Sequence, residues 1–491
     1  MNLPLSLFSV DQARAMDALA IKKLGLSSYE LMGRAGASAW ALLRKRWPGA
    51  ARIAVACGPG NNGGDGYVLA RIARAAGCQV QVVIAPDGLA RSVECKRAAN
   101  DWRQDGGVIR VFDGHLPDVD LWIDALFGIG FSGVMTGAVQ GLIERINAAH
   151  LPVLSLDVAS GLDADRGTGR TCIRADTTLS FIAGKRGLYT GQACDVGGEV
   201  LLDRLGLPED LIAGFDPAAK RYLREHLVGA LAPRHANSHK GEYGHVLCVG
   251  GETGMGGAVR LCAEAALRAG AGLASVATRS EGVAALVAAR PEAMTHAIED
   301  ADALQVLIKR ADVLAVGPGL GRGDWGRALF EAAVASAKPL ILDADGLGLL
   351  AAHPRPLPQA ILTPHPGEAA RLLGLSNEQV QSDRYAAIEA LVEKFECVVV
   401  LKGAGTLVAA PGETTAVIGA GNPGMATGGM GDVLTGVIAA LHAQHLSRYE
   451  AAVFGALLHG AAGDAAAAVD GERGLLPSDL FAHLRRLANP E

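Results

Sequence analysis

The sequence predicts an α/β protein of two domains, the first built on a doubly wound parallel sheet and the second sharing its layer plan. Three observations predict it. The 491 residues exceed what one hydrophobic core usually holds. Short apolar strands alternate with helical segments in both halves. Two glycine-rich loops, each ending in an aspartate, stand far apart: Gly58-Pro-Gly-Asn-Asn-Gly-Gly-Asp-Gly66 and Gly421-Asn-Pro-Gly-Met-Ala-Thr-Gly-Gly-Met-Gly-Asp432. Glycine lets a backbone approach a ligand and turn its N–H groups toward anionic oxygens, so two such loops suggest two ligand sites.

Composition narrows the function classes. Half the residues are hydrophobic and a fifth charged, as in a folded globular chain. The net charge is −6 and no dense Lys/Arg run occurs, so nucleic acid is not an expected partner. A small anion remains possible, because backbone amides and helix N-termini bind anions without a basic surface. Eight cysteines are spread singly with no C-x-x-C pair, which points to reduced thiols and a cytoplasmic location. The first ten residues lack a basic segment, so no signal peptide is expected. No apolar run reaches the roughly 20 residues that span a bilayer, and no membrane is expected. The stretch 451–469 carries His459 and Asp464 and reads as a buried helix.

Ser9 and Gln12 form a capping-box pattern ahead of Met16, Leu19 and Ala20, so a first helix runs from about 10 to 23. A second covers 28–45, capped by Ser27 or Ser28 and ending before Pro48. Residues 52–57 form a strand, the first glycine loop follows, and 65–76 form a helix with Leu69, Ile72 and Ala73 on one face. Strands at 80–84, 108–112, 121–124 and 153–156, with a helix at 94–104, continue the alternation. The 61–65 turn, Asp124, the 128–134 turn, Asp157 and Ser160 fall at strand ends, where such sheets bind ligands. Pro208, Pro217 and Pro233 break the rhythm between about 205 and 236, which reads as a linker between domains 1–215 and 225–491. The second series has strands at 245–249, 313–316, 340–343, 360–363 and 398–401. Its strand ends carry Gly250-Gly251, a glycine turn at 317–321, Asp343 with Asp345, the 363–368 turn and Lys402-Gly-Ala-Gly-Thr406.

The first loop has neither the order of a dinucleotide fingerprint nor the lysine of a P-loop. A plain tight turn needs no pair of asparagines and no aspartate, so ligand contact is expected. Asn62, Asp124 and Ser160 offer hard oxygens for a cation, or serve as caps and turn bonds. Asp157 is a proton-transfer carboxylate or the head of an Asx turn. The second loop opens a helix expected at 433–443. Its N–H groups suit a migrating phosphoryl group, and Asp432 suits proton removal from an attacking hydroxyl; helix capping is the rival role. His365, in a Pro-His-Pro-Gly-Glu turn at a strand end, is expected to touch substrate. Asp343 and Asp345 face the phosphate and Mg²⁺ region or cap the next helix. His235, His239 and His245 lack zinc-site spacing.

At these motifs the chain resembles the bifunctional NAD(P)H-hydrate repair enzymes, in which an epimerase is fused to a dehydratase. The resemblance covers nearly the whole chain and implies a Rossmann-like N-terminal domain and a ribokinase-like C-terminal one. The first would interconvert the R and S forms of NADHX and NADPHX, which carry a hydroxyl at C6 of the nicotinamide ring. The second would dehydrate the S form with ADP as co-substrate, giving AMP and phosphate. By motif match, Asn61, Asn62, Gly63, Gly64, Asp65, Gly128, Ile129, Gly130, Phe131, Ser132, Gly133, Val134 and Asp157 would contact the hydrate, with Asp157 the acid/base group. Asn62, Asp124 and Ser160 would hold K⁺. In the second half Ala258, Gly319, His365 and Asp432 would meet the hydrate, with Asp432 the catalytic base. Lys402, Gly403, Ala404, Gly405, Thr406 and Gly431 would bind the nucleotide, whose phosphates Mg²⁺ would bridge. Gly33 stands where relatives often carry a polar residue, and Met430 where many carry Ser or Thr. A homo-oligomer is expected. The rival reading is a ribokinase-like vitamin-precursor kinase, which leaves the first glycine loop without a task.

Overall fold

The computed structural model describes residues 5–131, 133, 135–231 and 233–489. The chain divides into two compact units between Ala219 and Lys220. The stretch from 205 to 236 carries the short helix Glu209–Ala213, the strand Ala219–Tyr222 and a 3-10 turn at Arg224–Leu227.

In the first unit seven parallel strands lie in the order Ile109–Val111, Gln79–Ile84, Arg52–Cys57, Leu121–Ala125, Val153–Leu156, Thr177–Phe181 and Glu199–Asp203. The chain winds outward from Arg52–Cys57 in one direction, then returns to Leu121–Ala125 and winds the other way. Two strand ends therefore part between these neighbours, which is where a doubly wound sheet opens a crevice. The strands are buried on both faces and read as near-continuous apolar runs, as parallel sheets require. The capping box of Ser9 and Gln12 starts the first helix at Val10, and that of Ser27 and Glu30 starts the second at Ser28.

The second unit repeats the plan. Parallel strands follow the order Met294–Ala297, Leu273–Thr278, His245–Val249, Val313–Val316, Leu340–Leu342, Ala360–Leu362 and Val398–Leu401; Leu407–Ala409 and Thr415–Ile418 extend the edge antiparallel. The crevice opens between His245–Val249 and Val313–Val316. Helix Met430–Ala443 is buried almost all round and crosses helix Gly256–Arg268 at Gly436, where any side chain would strike the Cys262 carbonyl. Helix Arg448–Asp470 is long and apolar enough to cross a membrane by length and composition, with a mean hydropathy of 1.4. It packs instead into the core of this unit, and 67% of its apolar window is buried there.

Two candidate active sites

In the first unit both glycine turns meet at the crevice. Gly58 donates its N–H to the Ala125 carbonyl (2.9 Å), and a side chain at Gly58 would collide with the Leu126 carbonyl. The helix that follows begins at Asn61, four residues ahead of the position expected from sequence, so the 61–65 segment is helix and not a preceding turn. Its cap, Gly60, has no side chain to bond the first N–H groups, and this helix start lines a cavity of about 650 Å³. Asn61, Asn62, Asp65, Gly128, Ile129, Gly130, Phe131 and Asp157 line that cavity.

Gly63 and Gly64 are not among its lining residues. Gly63 packs on the Gly58 backbone and Gly64 on the Met32 side chain, and this close packing explains why helix-disfavouring residues stand there. Gly63→Ala is expected to destabilise the protein by about 1–3 kcal/mol, the usual cost of overpacking, because backbone cannot move aside. Chemical denaturation would check it; unchanged stability would count against the packing role. Gly133 has an open left-handed backbone and lies outside the cavity lining. Ser132 and Val134 fall outside the described residues.

Asp157 sits at the end of its strand with φ of 65°, a left-handed conformation unusual for aspartate and often found at functional positions. Its N–H donates to the Leu179 carbonyl (2.7 Å), and its carboxylate accepts weakly from the N–H groups of Phe181 (3.3 Å) and Ile129 (3.4 Å). Its main partner is Lys185, whose ammonium donates to Asp157 Oδ1, to Ser180 Oγ (3.0 Å) and to the Phe181 carbonyl (2.8 Å). Lys185 is 2% exposed and Asp157 13%. Two more carboxyls share the cavity. Burial, then the charges of Asp157 and Asp17, push the Asp65 carboxyl well above the carboxylate range despite Lys185. Burial chiefly raises Asp17 to about 6, with Lys185 opposing and Asp157 assisting.

Sequence reasoning missed Lys185 and Asp17. Lys185 enters through a tight turn after the strand Thr177–Phe181, in which Ala183 N–H bonds the Phe181 carbonyl (2.7 Å) and Ile182 takes φ of 65°. The signal was present in Gly184-Lys-Arg-Gly187, a glycine-flanked basic pair, but its strand was not read. Asp17 occupies a helix position that looks like solvated surface.

Asp124 and Ser160 lie beneath the cavity, buried to 1% exposure each. Asp124 accepts from Ser160 Oγ (2.5 Å), Ser160 N–H (2.8 Å), Ser155 Oγ (2.7 Å) and Leu126 N–H (3.2 Å). Burial still raises its pKa, against the pull of these bonds. Asn62 is 8% exposed, and both polar atoms of its side chain are buried without a hydrogen-bond partner. An orphaned amide costs about 1–3 kcal/mol unless something else satisfies it.

In the second unit Asp432 lies in the first turn of helix Met430–Ala443, whose cap Gly429 has φ of 94° and makes no side-chain bond. Burial, then the nearby Asp343, raises Asp432 to about 7, with Lys402 opposing and Asp345 and Glu368 adding. Lys402 Nζ donates to Asp343 Oδ1 (2.7 Å) and lies 3.8 Å from Glu368 Oε2. Asp343 Oδ2 accepts from Thr435 Oγ1 (3.0 Å), one turn along from Asp432. Although burial opposes it, this pairing lowers the Asp343 pKa. Gly431 packs on the Lys402–Asp343 pair, where a Cβ would sit 3.2 Å from both.

The Lys402 ammonium is paired with Asp343, a partner the sequence did not show. The turn after it is open, with Gly403 and Ala404 exposed, Gly403 at φ of 135°, and Thr406 Oγ1 donating to the Gly403 carbonyl (2.9 Å). Buried Arg384 supports the turn from below through the Leu401 and Lys402 carbonyls (3.1 and 3.3 Å). Asp345 holds the Gly321 N–H (3.0 Å) and Arg322 (3.1 Å), and so fixes the glycine turn after Val313–Val316. Gly319 and Ala258 adjoin, since a Cβ on Gly319 would reach that of Ala258 at 3.3 Å. His365 caps helix Pro366–Leu373, accepts from the Gly367 N–H (3.0 Å) and is half exposed at the rim.

Each unit therefore places buried and partly buried carboxyls around one lysine, beside a helix N-terminus at the switch point of a parallel sheet. That arrangement defines an enzyme with two sites for small anionic substrates. A family model for NAD(P)H-hydrate dehydratase matches residues 246–486, and one for the YjeF-related protein N-terminus matches 28–187. The bifunctional NAD(P)H-hydrate repair enzyme of Coxiella burnetii is 47% identical over 99% of both chains. That of Escherichia coli is 44% identical over 100% of this chain and 95% of its own. The crystal structure of a ribokinase-like superfamily protein from Enterococcus faecalis is 29% identical, with a TM-score of 0.52 over 56% of this chain and 96% of its own.

This chain belongs to the bifunctional NAD(P)H-hydrate repair enzymes. It joins an epimerase to a dehydratase, which gives both glycine loops a task and sets aside the reading as a vitamin-precursor kinase.

Proposed function

We propose that the second unit dehydrates the S hydrate by transient phosphorylation from ADP, with Asp432 as the base. The observation that carries this reading is a carboxyl poised near neutrality in the first turn of a glycine-capped helix. Hydroxide is a poor leaving group. Asp432 takes the proton of the C6 hydroxyl, the freed oxygen bonds the terminal phosphorus of ADP, and AMP departs with the electrons of the broken P–O bond. Phosphate then leaves C6, a proton leaves C5, and the C5–C6 double bond of the dihydropyridine is restored. The N–H groups at 430–432 face the charge on the migrating phosphoryl group. Lys402 and Asp343 hold Gly431 and Thr435, and hence this turn, in place. The exposed turn at 403–406 is where the nucleotide phosphates would be held. Among the described residues no three acidic, histidine or cysteine groups are set to chelate a metal alone. Mg²⁺ would therefore enter on the nucleotide phosphates, whose charge it offsets.

In the first unit Asp157, paired with Lys185, is the acid/base group at C6, and it shares the cavity with Asp65, whose carboxyl burial pushes well above its ordinary range. Two carboxyls in different surroundings of a single cavity suit removal and return of a hydroxyl. K⁺ fits beside the unsatisfied side-chain oxygen of Asn62 with Asp124 and Ser160, where its charge would favour an anionic substrate.

The test supplies purified protein with mixed NADHX epimers, with ADP, with ATP or with neither, and follows the reduced-nicotinamide absorbance. Full recovery of absorbance with release of AMP and phosphate is expected with ADP. Recovery without nucleotide, or a stable phosphorylated product, would overturn the reading.

A further inference from the structure

One face of helix Arg448–Asp470 is shaped to the catalytic glycine loop. His459 and Gly463 are four residues apart, as are Gly460 and Asp464, so the four side-chain positions form two adjacent rows. Gly460 lets the loop backbone sit down, since a Cβ there would lie 2.7 Å from the Ala420 carbonyl. Gly463 leaves room for Met425, whose sulfur would collide with any added Cβ. Asp464 grips the start of the loop: its two oxygens accept from the Gly421 N–H (2.9 Å) and from Asn422 Nδ2 (2.9 Å). Asn422 passes the constraint on by accepting the Gly424 N–H at 3.0 Å. His459 lies at the end. It is 8% exposed, its ring lies beside the Met430 backbone, and its Nε2 is buried without a partner.

These contacts fall at both ends of the loop, and a side chain placed on Gly428 between them would meet open space. A helix needing only to fill a core would carry neither a buried imidazole nor a carboxylate on an Ala/Gly-rich face, since unsatisfied polar groups cost about 1–3 kcal/mol. The cost is offset if the pair fixes the geometry on which phosphoryl transfer depends.

We infer that His459 and Asp464 are positioning residues of the dehydratase: they clamp the two ends of the 421–430 loop so that the helix N-terminus and Asp432 stand ready for the phosphorus centre. The inference rests on the proposed role of Asp432. Neither residue is placed against substrate; both act through backbone that they hold.

The experiment measures ADP-dependent dehydration of S-NADHX by the full-length protein and by His459→Ala, His459→Asn and Asp464→Asn, together with thermal denaturation and the calorimetric affinity for ADP. Asparagine carries an N–H close to the place of the histidine Nδ1, so it can keep a polar contact beside the Met430 backbone. We expect kcat to fall ten- to a hundredfold in His459→Ala and Asp464→Asn, KM for the hydrate to stay within about threefold, and His459→Asn to recover most of the loss. If His459→Ala does not fold, Asp464→Asn and His459→Asn decide the matter. Wild-type kcat in folded Asp464→Asn, or equal loss in His459→Asn and His459→Ala, would overturn the clamp. Failure of the unmutated protein to dehydrate the hydrate with ADP would instead overturn the reading of the site.

Discussion

Asp432→Asn is expected to lower the dehydration rate by about 10²–10⁴-fold, the range general-base catalysis supplies, while the R and S hydrates still interconvert. Asparagine keeps the shape of the side chain but cannot take a proton. Two pH measurements make the expectation specific. A base must be ionised to act, so kcat/KM of the unmutated protein should rise with pH through about 7, the value to which burial and Asp343 bring Asp432. Stability should move the other way. A carboxyl raised from the ordinary 3.8 to about 7 binds its proton more tightly in the folded state than in the unfolded one. Its ionisation therefore erodes stability as pH rises from about 4 to 7, and the erosion is complete above that. Asp432→Asn removes this effect, so its Tm at pH 8 should equal or exceed that of the unmutated protein. An inactive variant with a lower Tm would mean that Asp432 serves the fold, as a cap would. An active one would end the assignment.

How much of this was legible in the sequence depended on how each element is buried. The first two helices were readable because Ser9–Gln12 and Ser27–Glu30 spell their starts in local hydrogen bonds. The strands at 52–57, 121–125, 153–156, 245–249 and 398–401 were readable as apolar runs between glycines or acids. The strand Thr177–Phe181 was not, because two threonines and a serine sit in a fully buried stretch where pairing decides, not hydrophobicity. Leu273–Thr278 hides likewise in an Ala-rich background that reads as helix, and Met294–Ala297 is a half-exposed edge. Asp157 and Asp432 were legible because they follow strands or glycines. Lys185 and the clamp on helix Arg448–Asp470 were not, since both become visible only when residues far apart in sequence are brought together. Lys402 was legible as a strand-end lysine but not as the partner of Asp343, which is a matter of rotamer and not of motif.

Breaking the Lys185–Asp157 pair is the second change expected to have a large effect, and it separates catalysis from folding. Lys185 is 2% exposed and its ammonium is satisfied by Asp157, Ser180 and the Phe181 carbonyl. Removing one member leaves the other as an uncompensated charge in a cavity shared with Asp65 and Asp17, a defect worth about 3–5 kcal/mol. Asp157→Asn and Lys185→Met should each lower stability and each abolish interconversion of the R and S hydrates. The double variant Asp157→Asn/Lys185→Met removes both charges together. It should recover most of the lost stability, because a buried pair replaced by neutral groups of similar volume is often near neutral. It should recover no epimerisation, because the group that handles the proton at C6 is gone. Dehydration of added S hydrate by the same molecules provides the internal control, since Asp432 and its loop belong to the other unit. Chiral chromatography of the hydrates, beside denaturant unfolding, reads both properties. Epimerisation by a stable double variant would show that the pair only holds the turn at Phe181–Ala183, and the proton would then have to be assigned to Asp65 or Asp17.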